Sequence, residues 1–232
     1  MKIHCFQHVS FETPGTITEW AEANDHSITC TYLYNTDFPL PDLTAFDMLL
    51  VMGGYMNVDE EEKFPWLKKE KAFIKECADA GKKIIGICLG AQLVACVFRC
   101  HVYAAKEKEI GFFPVQFSSL GQHGALFDHF TKDYMLYHWH GDTFDLPEDA
   151  RLVASTDSCR NQVFMIGMNI LCMQFHLEMT EEIIEELMTA EENELKEKGT
   201  YIQSAAEMRE GFIYLEQNKK DLFLLLDKFC KE

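Results

Sequence analysis

The sequence predicts an α/β fold: an open, mostly parallel, twisted sheet with helices on both faces, followed by a C-terminal helical extension. Strand-like and helix-like segments alternate through the first half of the 232 residues, which is typical of such a sheet. Short continuous apolar runs at 48–52 and 84–87 indicate strands buried on both faces. From Thr180 onward, amphipathic segments rich in Glu and Lys predict helices.

The first predicted strands alternate with helices. Strands are predicted at 3–9, 27–34, 47–52 and 82–87. The Thr16-x-x-Glu19 pattern is a capping box that opens a helix between the first two strands. Another helix runs from Trp66 to Ala80 and ends at Gly81, a residue suited to the C′ position.

The region from Val102 to Val163 is less regular and predicts short antiparallel strands joined by loops. No linker rich in Pro, Gly or Ser divides the chain, so we expect one α/β domain at 1–180 with a helical extension at 181–232 packed on it. The alternative for the extension is the surface of a homodimer. Packing within the chain is the ordinary outcome and is favoured.

The composition excludes some classes of partner. Lys and Arg total 21 against 38 Asp and Glu, and the formal net charge of −17 argues against nucleic acid and anionic membranes. No apolar run is long enough to span a membrane, and the first residues predict a strand rather than a signal sequence. Nine cysteines without the spacing of a disulfide framework agree with a reducing compartment. A cytoplasmic location is therefore expected.

Cys88 is the candidate nucleophile. It follows the apolar run 84–87 in a Gly-x-Cys-x-Gly turn, and a helix is predicted directly after it, which is the layout of a nucleophile elbow with cysteine in place of serine. Gly86 and Gly90 would let neighbouring backbone come close. The helix N-terminus is expected to favour the reactive thiolate. A buried apolar cysteine is the alternative, and the flanking glycines argue against it.

His176 and Glu178 supply the base and the orienting group that a thiol nucleophile needs. They lie two residues apart in the segment 170–178, which predicts a strand, and alternate side chains of a strand share a face. The carboxylate can then fix the tautomer of the imidazole. A surface His-x-Glu without function is the alternative, and its coincidence with the Cys88 elbow argues against that.

The segments Gly-Ile-Cys-Leu-Gly-Ala-Gln at 86–92 and Gln-Phe-His-Leu-Glu at 174–178 resemble the class I glutamine amidotransferases, Cys-His-Glu enzymes with a flavodoxin-like sheet. The resemblance extends over about residues 1–180 and is particularly clear to free-standing domains similar to the amidotransferase domain of GMP synthase. Further matching segments are Val-Met-Gly-Gly at 51–54, Glu-Ile-Gly at 109–111 and His-Trp-His-Gly-Asp at 138–142. One departure is Leu177, which stands where the family usually has proline.

The resemblance implies roles for further residues. The backbone N–H groups of Gly54 and Leu89 would form an oxyanion hole. Four residues would hold or line the pocket for the glutamine part of the substrate: Gln92, His140, Gly141 and Asp142.

The expected reaction is hydrolysis of the glutamine side-chain amide through a γ-glutamyl thioester on Cys88, with release of ammonia and without a cofactor. Glutamine or another γ-glutamyl compound would be the substrate, and an ammonia acceptor would be a separate synthetase chain. Two alternatives remain open: a γ-glutamyl peptide or amide hydrolase with the same triad, and a non-catalytic binding or regulatory protein on the same fold. The complete Cys-His-Glu set disfavours the second alternative.

Two sets of residues have spacings that a metal site could use: His138, His140, His176 and Glu178, and separately Cys96, Cys100 and His101. The resemblance implies that the first set serves catalysis and the glutamine pocket rather than a metal, and the second set lacks a fourth ligand. No phosphate-binding loop is present, and Gly53-Gly54 alone is too weak to indicate a nucleotide. No metal and no nucleotide is predicted.

Overall fold

A computed structural model of the chain describes residues 1–35, 38–118, 126–131 and 133–231. In that part of the chain the strands are β1 (Lys2–Gln7), β2 (Ser27–Tyr32), β3 (Met48–Val51), β4 (Lys83–Ile87), β5 (Val102–Phe117), β6 (Tyr134–Phe144), β7 (Ala150–Ser155), β8 (Val163–Ile166) and β9 (Ile170–Met173). The helices are α1 (Thr16–Ala23), α2 (Trp66–Asp79), α3 (Leu89–Val97), α4 (Glu181–Ala190), α5 (Ala205–Glu210) and α6 (Leu215–Lys231). Short 3-10 segments lie at Leu43–Ala45, Glu194–Lys196 and Gly211–Tyr214.

The described strands form one sheet in the order β2-β1-β3-β4-β9-β8-β7-β5-β6. The neighbours from β2 to β9 are parallel, and those from β9 to β6 are antiparallel. The predicted α/β sheet is confirmed. Its parallel half comes largely from the first part of the chain, where strands and helices alternate, and most of its antiparallel half comes from the region after Val102. The parallel strands β1, β3 and β4 are in register, so their carboxyl ends meet at one edge. Ligand sites of open α/β sheets lie outside this edge.

Helices cover both faces of the sheet, as predicted. On one face, α1 and α6 bury Trp20 and Phe229 in the same cluster as sheet residues. On the other face, α2 and α3 bury Ile74 and Leu93. The indole N–H of Trp20 donates to Asp227 Oδ1 at 2.8 Å, which ties α1 to α6. The apolar face of α6 is therefore covered within the chain.

The strands β5 and β6 form a long hairpin rather than the short strands expected here. They have 16 and 11 residues, and their register shifts between Ala104 and Glu109. Pro114 is tolerated because β5 pairs with β7 only at Gln116 and Phe117. Nearer its middle, at Ile110 and Phe112, the second edge of β5 is hydrogen-bonded to residues 201–203. Residues of α4 and α5 pack on this hairpin in a third apolar cluster.

The segment after β9 also differs from the expectation. The strand predicted through Glu178 ends at Met173, and His176 forms only an isolated bridge, in which its N–H donates to the carbonyl of Tyr137 at 2.8 Å. None of the helices in the described residues combines the length and the apolar content that crossing a bilayer requires.

Candidate active site

Cys88 lies in a sharp turn between β4 and α3, at the carboxyl edge of the parallel strands. Its φ of +52° is in the left-handed region, which non-glycine residues rarely adopt. A Cβ on Gly90 would lie 2.1 Å from the carbonyl oxygen of Val51, and one on Gly86 would lie 2.7 Å from the carbonyl oxygen of Gly90. Both positions therefore require glycine, and the turn has the geometry of a nucleophile elbow.

The Cys88 thiol is buried, with 5% of the residue exposed. It donates to the carbonyl of Trp139 at 3.6 Å, and the side-chain amide of Gln174 donates to the sulfur at 3.6 Å. Burial raises the pKa of the thiol, although the hydrogen bond and charge of His176 oppose this rise. The backbone N–H of Leu89 at the helix N-terminus does favour the thiolate, as expected, but burial outweighs it, so proton transfer to His176 is needed to form the thiolate.

His176 can take that proton because Glu178 faces it. The Nδ1 atom of His176 lies 2.7 Å from Glu178 Oε1, and both residues are at most 2% exposed. Burial acts to lower the pKa of the imidazole, but the charge and hydrogen bond of Glu178, together with those of Cys88, outweigh burial and place the pKa well above its usual range. The structure thus brings Cys88, His176 and Glu178 together in the order predicted from the sequence.

Leu177, where the resemblance led us to expect proline, contributes a backbone N–H to the site. Its backbone N–H donates to Glu178 Oε2 at 3.0 Å, a bond that proline cannot make. Both oxygens of Glu178 therefore have a donor, one from the imidazole and one from the backbone. The carboxylate is fixed by hydrogen bonding where the family uses a rigid residue.

Gly54 and Leu89, expected to form an oxyanion hole, are neighbours across the turn. A Cβ on Gly54 would lie 3.2 Å from Leu89 Cδ2, and Gly54 lines the cavity that contains Cys88. Leu89 is the first residue of α3, where N–H groups have no partner within the helix. A buried pair supports the turn before Gly54: His8 contacts the Gly53 carbonyl at 2.9 Å and Glu70 at 2.8 Å.

A cavity of about 460 Å³ opens above Cys88. The four residues expected to contact the substrate all line it: Gln92, His140, Gly141 and Asp142. His140 is held through both ring nitrogens, by the Asp142 carbonyl at 3.1 Å and by Glu109 Oε2 at 3.0 Å. The Asp142 carboxylate accepts from the amide of Asn57 at 2.6 Å. His140 thus orients the segment, while Gln92 and Asp142 present polar atoms near the cavity.

Behind the cavity, the Glu109 carboxylate anchors a polar network. It accepts from Thr156 at 2.5 Å and from Gln162 at 2.6 Å, besides contacting His140. Ligand atoms of Glu109, His140 and Cys159 lie within 4.8 Å of one another, the one group of this kind found among the described residues. Hydrogen bonds already occupy both oxygens of Glu109 and both nitrogens of His140. Neither set of metal ligands considered from the sequence is the group found here.

Several residues of the site were not identified from the sequence. Gln174 and Trp139 lie in segments that were singled out, but nothing in the pattern indicated their contacts with the thiol. His8 and Glu70 are 62 residues apart, so only the fold shows the pair. Glu12 lines the cavity close to His176. The one available signal for Glu12 was an acidic residue shortly after the first parallel strand, where ligand sites occur.

The fold and the site together define an α/β protein with a cysteine elbow and a His–Glu pair at the carboxyl edge of its sheet. The chain belongs to the class I glutamine amidotransferase family, whose model matches residues 20–192. The protein named putative glutamine amidotransferase-like protein YfeJ, from Salmonella typhimurium, is 32% identical over 98% of this chain and 97% of its own length.

Other relatives and solved structures agree with this assignment. A subunit of the glutamine-hydrolyzing GMP synthase of Thermoplasma acidophilum is 31% identical over 71% of this chain and 78% of its own. Gamma-glutamyl peptidase 2 of Arabidopsis thaliana is 26% identical over 62% and 59%. The crystal structure of SMU.1228c superposes with a TM-score of 0.93 at 31% identity, covering 99% of this chain and 100% of that one. A glutamine amidotransferase from Thermotoga maritima gives 0.89 at 28% identity, covering 100% and 99%.

Proposed function

We propose that the protein hydrolyses the side-chain amide of glutamine through a γ-glutamyl thioester on Cys88. The observation that carries this proposal is the buried series of thiol, imidazole and carboxylate at the wall of one cavity, with Glu178 held 2.7 Å from His176. A nucleophile, a base and a group that orients the base are the elements of acyl transfer by a cysteine enzyme.

In the proposed reaction, His176 takes the proton of the Cys88 thiol, and the thiolate attacks the amide carbon of the substrate. The N–H groups of Gly54 and Leu89 stabilise the oxyanion. The C–N bond then breaks as the nitrogen takes the proton from His176, and ammonia leaves. His176 next takes a proton from water, which attacks the thioester. The C–S bond breaks, sulfur recovers the proton and glutamate leaves.

Hydrolysis of larger γ-glutamyl amides or peptides is the second candidate. A cavity of about 460 Å³ falls within the range of sites that hold drug-sized ligands, which leaves room beyond the amide of glutamine. The relationship to a protein named gamma-glutamyl peptidase supports the same interpretation. The thioester chemistry is identical, and only the leaving amine differs.

The ammonia acceptor, if glutamine is the substrate, is proposed to be a separate synthetase chain. The relationship to a protein that is named as one subunit of GMP synthase supports this arrangement. We also propose that residues 1–180 form the catalytic domain and that 181–232 extend it. Leu187, Glu191 and Glu194 from the extension line the cavity, which supports a role for the extension in shaping the site.

Amine release from L-glutamine and from γ-glutamyl amides, measured for wild type, Cys88→Ala and Cys77→Ala, tests the proposal. Cys77 is a matched control because it is a fully buried cysteine on α2, away from the cavity. We expect turnover by wild type and Cys77→Ala and none by Cys88→Ala. Turnover that survives in Cys88→Ala removes Cys88 as nucleophile, and a wild type inactive on every γ-glutamyl compound supports a binding or regulatory protein instead.

A further inference from the structure

Glu12 is a buried carboxylate that the proposed mechanism does not use. It lies in the loop between β1 and α1, lines the same cavity as Cys88 and His176, and is 7% exposed. A Cβ placed on Gly53 would lie 2.0 Å from Glu12 Oε2 and 3.3 Å from His176 Cε1. The carboxylate therefore lies against the turn beside the imidazole.

Glu12 differs from the other buried glutamates of the site because it has no hydrogen-bond partner within the described residues. Glu70, Glu109 and Glu178 are each held by side-chain or backbone donors. Burial raises the pKa of Glu12 to about 7, the charges of His176 and His8 oppose the rise, and those of Glu178 and Glu191 add to it. A buried polar group left unpaired is costly, and in a native structure it calls for an explanation such as a catalytic role or a bound ion that pairs with it.

Glu12 shares its wall of the cavity with a second acidic side chain. Glu191 also lines the cavity and has no side-chain partner among the residues that the structure describes. Lys108, the one lysine among the described residues of the lining, is already paired with Glu194 at 2.8 Å and Glu197 at 2.9 Å. On the side of Glu12 and Glu191, therefore, the described residues offer carboxylates and no lysine or arginine to neutralise them.

We propose that Glu12, together with Glu191, binds a cationic leaving amine, and that the preferred substrates are γ-glutamyl amides of diamines. The inference rests on the proposed function, because it places the amine relative to His176. His176 gives its proton to the departing nitrogen, so the leaving amine passes the imidazole, and Glu12 lies at the edge of that ring. The scissile C–N bond breaks as before, and the second amino group of the diamine stays protonated and pairs with the carboxylates.

Three matched amides test this preference in the wild-type protein: γ-glutamyl-1,4-diaminobutane, the neutral γ-glutamyl-pentylamine, and γ-glutamyl-4-aminobutanoate, whose leaving side is anionic. We expect kcat/KM for the cationic amide to exceed that for the neutral one by about tenfold or more, with the anionic amide lowest. Because this comparison uses the wild type, it does not depend on the folding of any variant.

The second arm compares Glu12→Gln with Glu186→Gln. Glu186 is an exposed residue of α4 that does not line the cavity, so its variant removes the same charge at a distance. The ratio of cationic to neutral kcat/KM should fall about tenfold in Glu12→Gln and stay as in wild type in Glu186→Gln. If wild type cleaves glutamine or the neutral amide without preferring the cationic one, this inference is overturned and the proposed function stands. Failure to cleave any of these compounds overturns both.

Discussion

The substitution Glu178→Gln tests how His176 is held. The two oxygens of Glu178 have different donors: Oε1 faces His176 Nδ1 at 2.7 Å, and Oε2 accepts from the N–H of Leu177 at 3.0 Å. A glutamine in this place has one oxygen and one NH₂ group, so it accepts from one donor and turns its own N–H towards the other. The imidazolium that forms when Cys88 loses its proton also loses the charge that faces it.

The size of the effect follows from burial, since Glu178 is 1% exposed and His176 is 2% exposed. Breaking a buried charge pair by removing one partner costs about 3–5 kcal/mol. If that cost falls on the transition state, kcat drops by about 10²–10⁴. His176→Ala should lose more, comparable to the loss of the nucleophile, because it removes the group that moves protons in both half-reactions.

The pH profile separates this electrostatic role from a structural one. Glu178 holds the pKa of His176 well above its usual range against the opposing effect of burial. Replacing the carboxylate lowers that pKa, so the low-pH limb of kcat/KM, below which His176 is already protonated and cannot take the proton of Cys88, moves to lower pH. Steady-state amine release by wild type, Glu178→Gln and His176→Ala across pH is the assay. A Glu178→Gln variant as active as wild type, with an unmoved limb, would show that the carboxylate does not serve His176 in this way.

Three further predictions concern Cys30, His8 and Gly90. The hydrogen bond from Cys5 lowers the pKa of the half-buried Cys30 to about 7. Iodoacetamide should therefore alkylate Cys30 before the buried Cys88, as measured by peptide mapping, and the reverse order would contradict this. His8→Ala leaves Glu70 buried without its partner, and thermal or chemical unfolding should show a loss of about 3–5 kcal/mol; an unchanged unfolding midpoint means that the pair adds nothing. Gly90→Ala places a methyl group against the carbonyl oxygen of Val51 in β3, so enzyme activity and melting temperature should both fall. Wild-type values for both would mean that the turn is looser than this geometry indicates.

Local patterns predicted the centre of the site well. The Cys88 elbow depends on glycines within two residues of the thiol, and the His176–Glu178 contact depends on residues two apart. Both features can therefore be recognised from short segments of sequence. The His176–Glu178 contact is present although the strand ends at Met173 and neither residue lies in a regular strand. A spacing can therefore predict a contact even when the predicted element is wrong.

The surroundings of the site could not be predicted, because they depend on packing between distant segments. His8 meets Glu70 across 62 residues, and Glu109 meets Gln162 across 53. The raised pKa of the Cys88 thiol is also a tertiary effect: burial by neighbouring elements outweighs what the helix N-terminus alone suggested. Glu12 belongs to no sequence motif, and the inference drawn from it depends on its having no hydrogen-bond partner among the described residues.

Detection of the acyl-enzyme is the decisive test of the thioester mechanism. Wild type and Cys88→Ala are mixed with L-glutamine or the best γ-glutamyl amide, quenched in acid during turnover, and analysed by intact mass and peptide mapping. The mechanism predicts one γ-glutamyl group on the peptide that contains Cys88 and none in the variant. Amine release by wild type without any adduct, or an adduct on another cysteine, would contradict it.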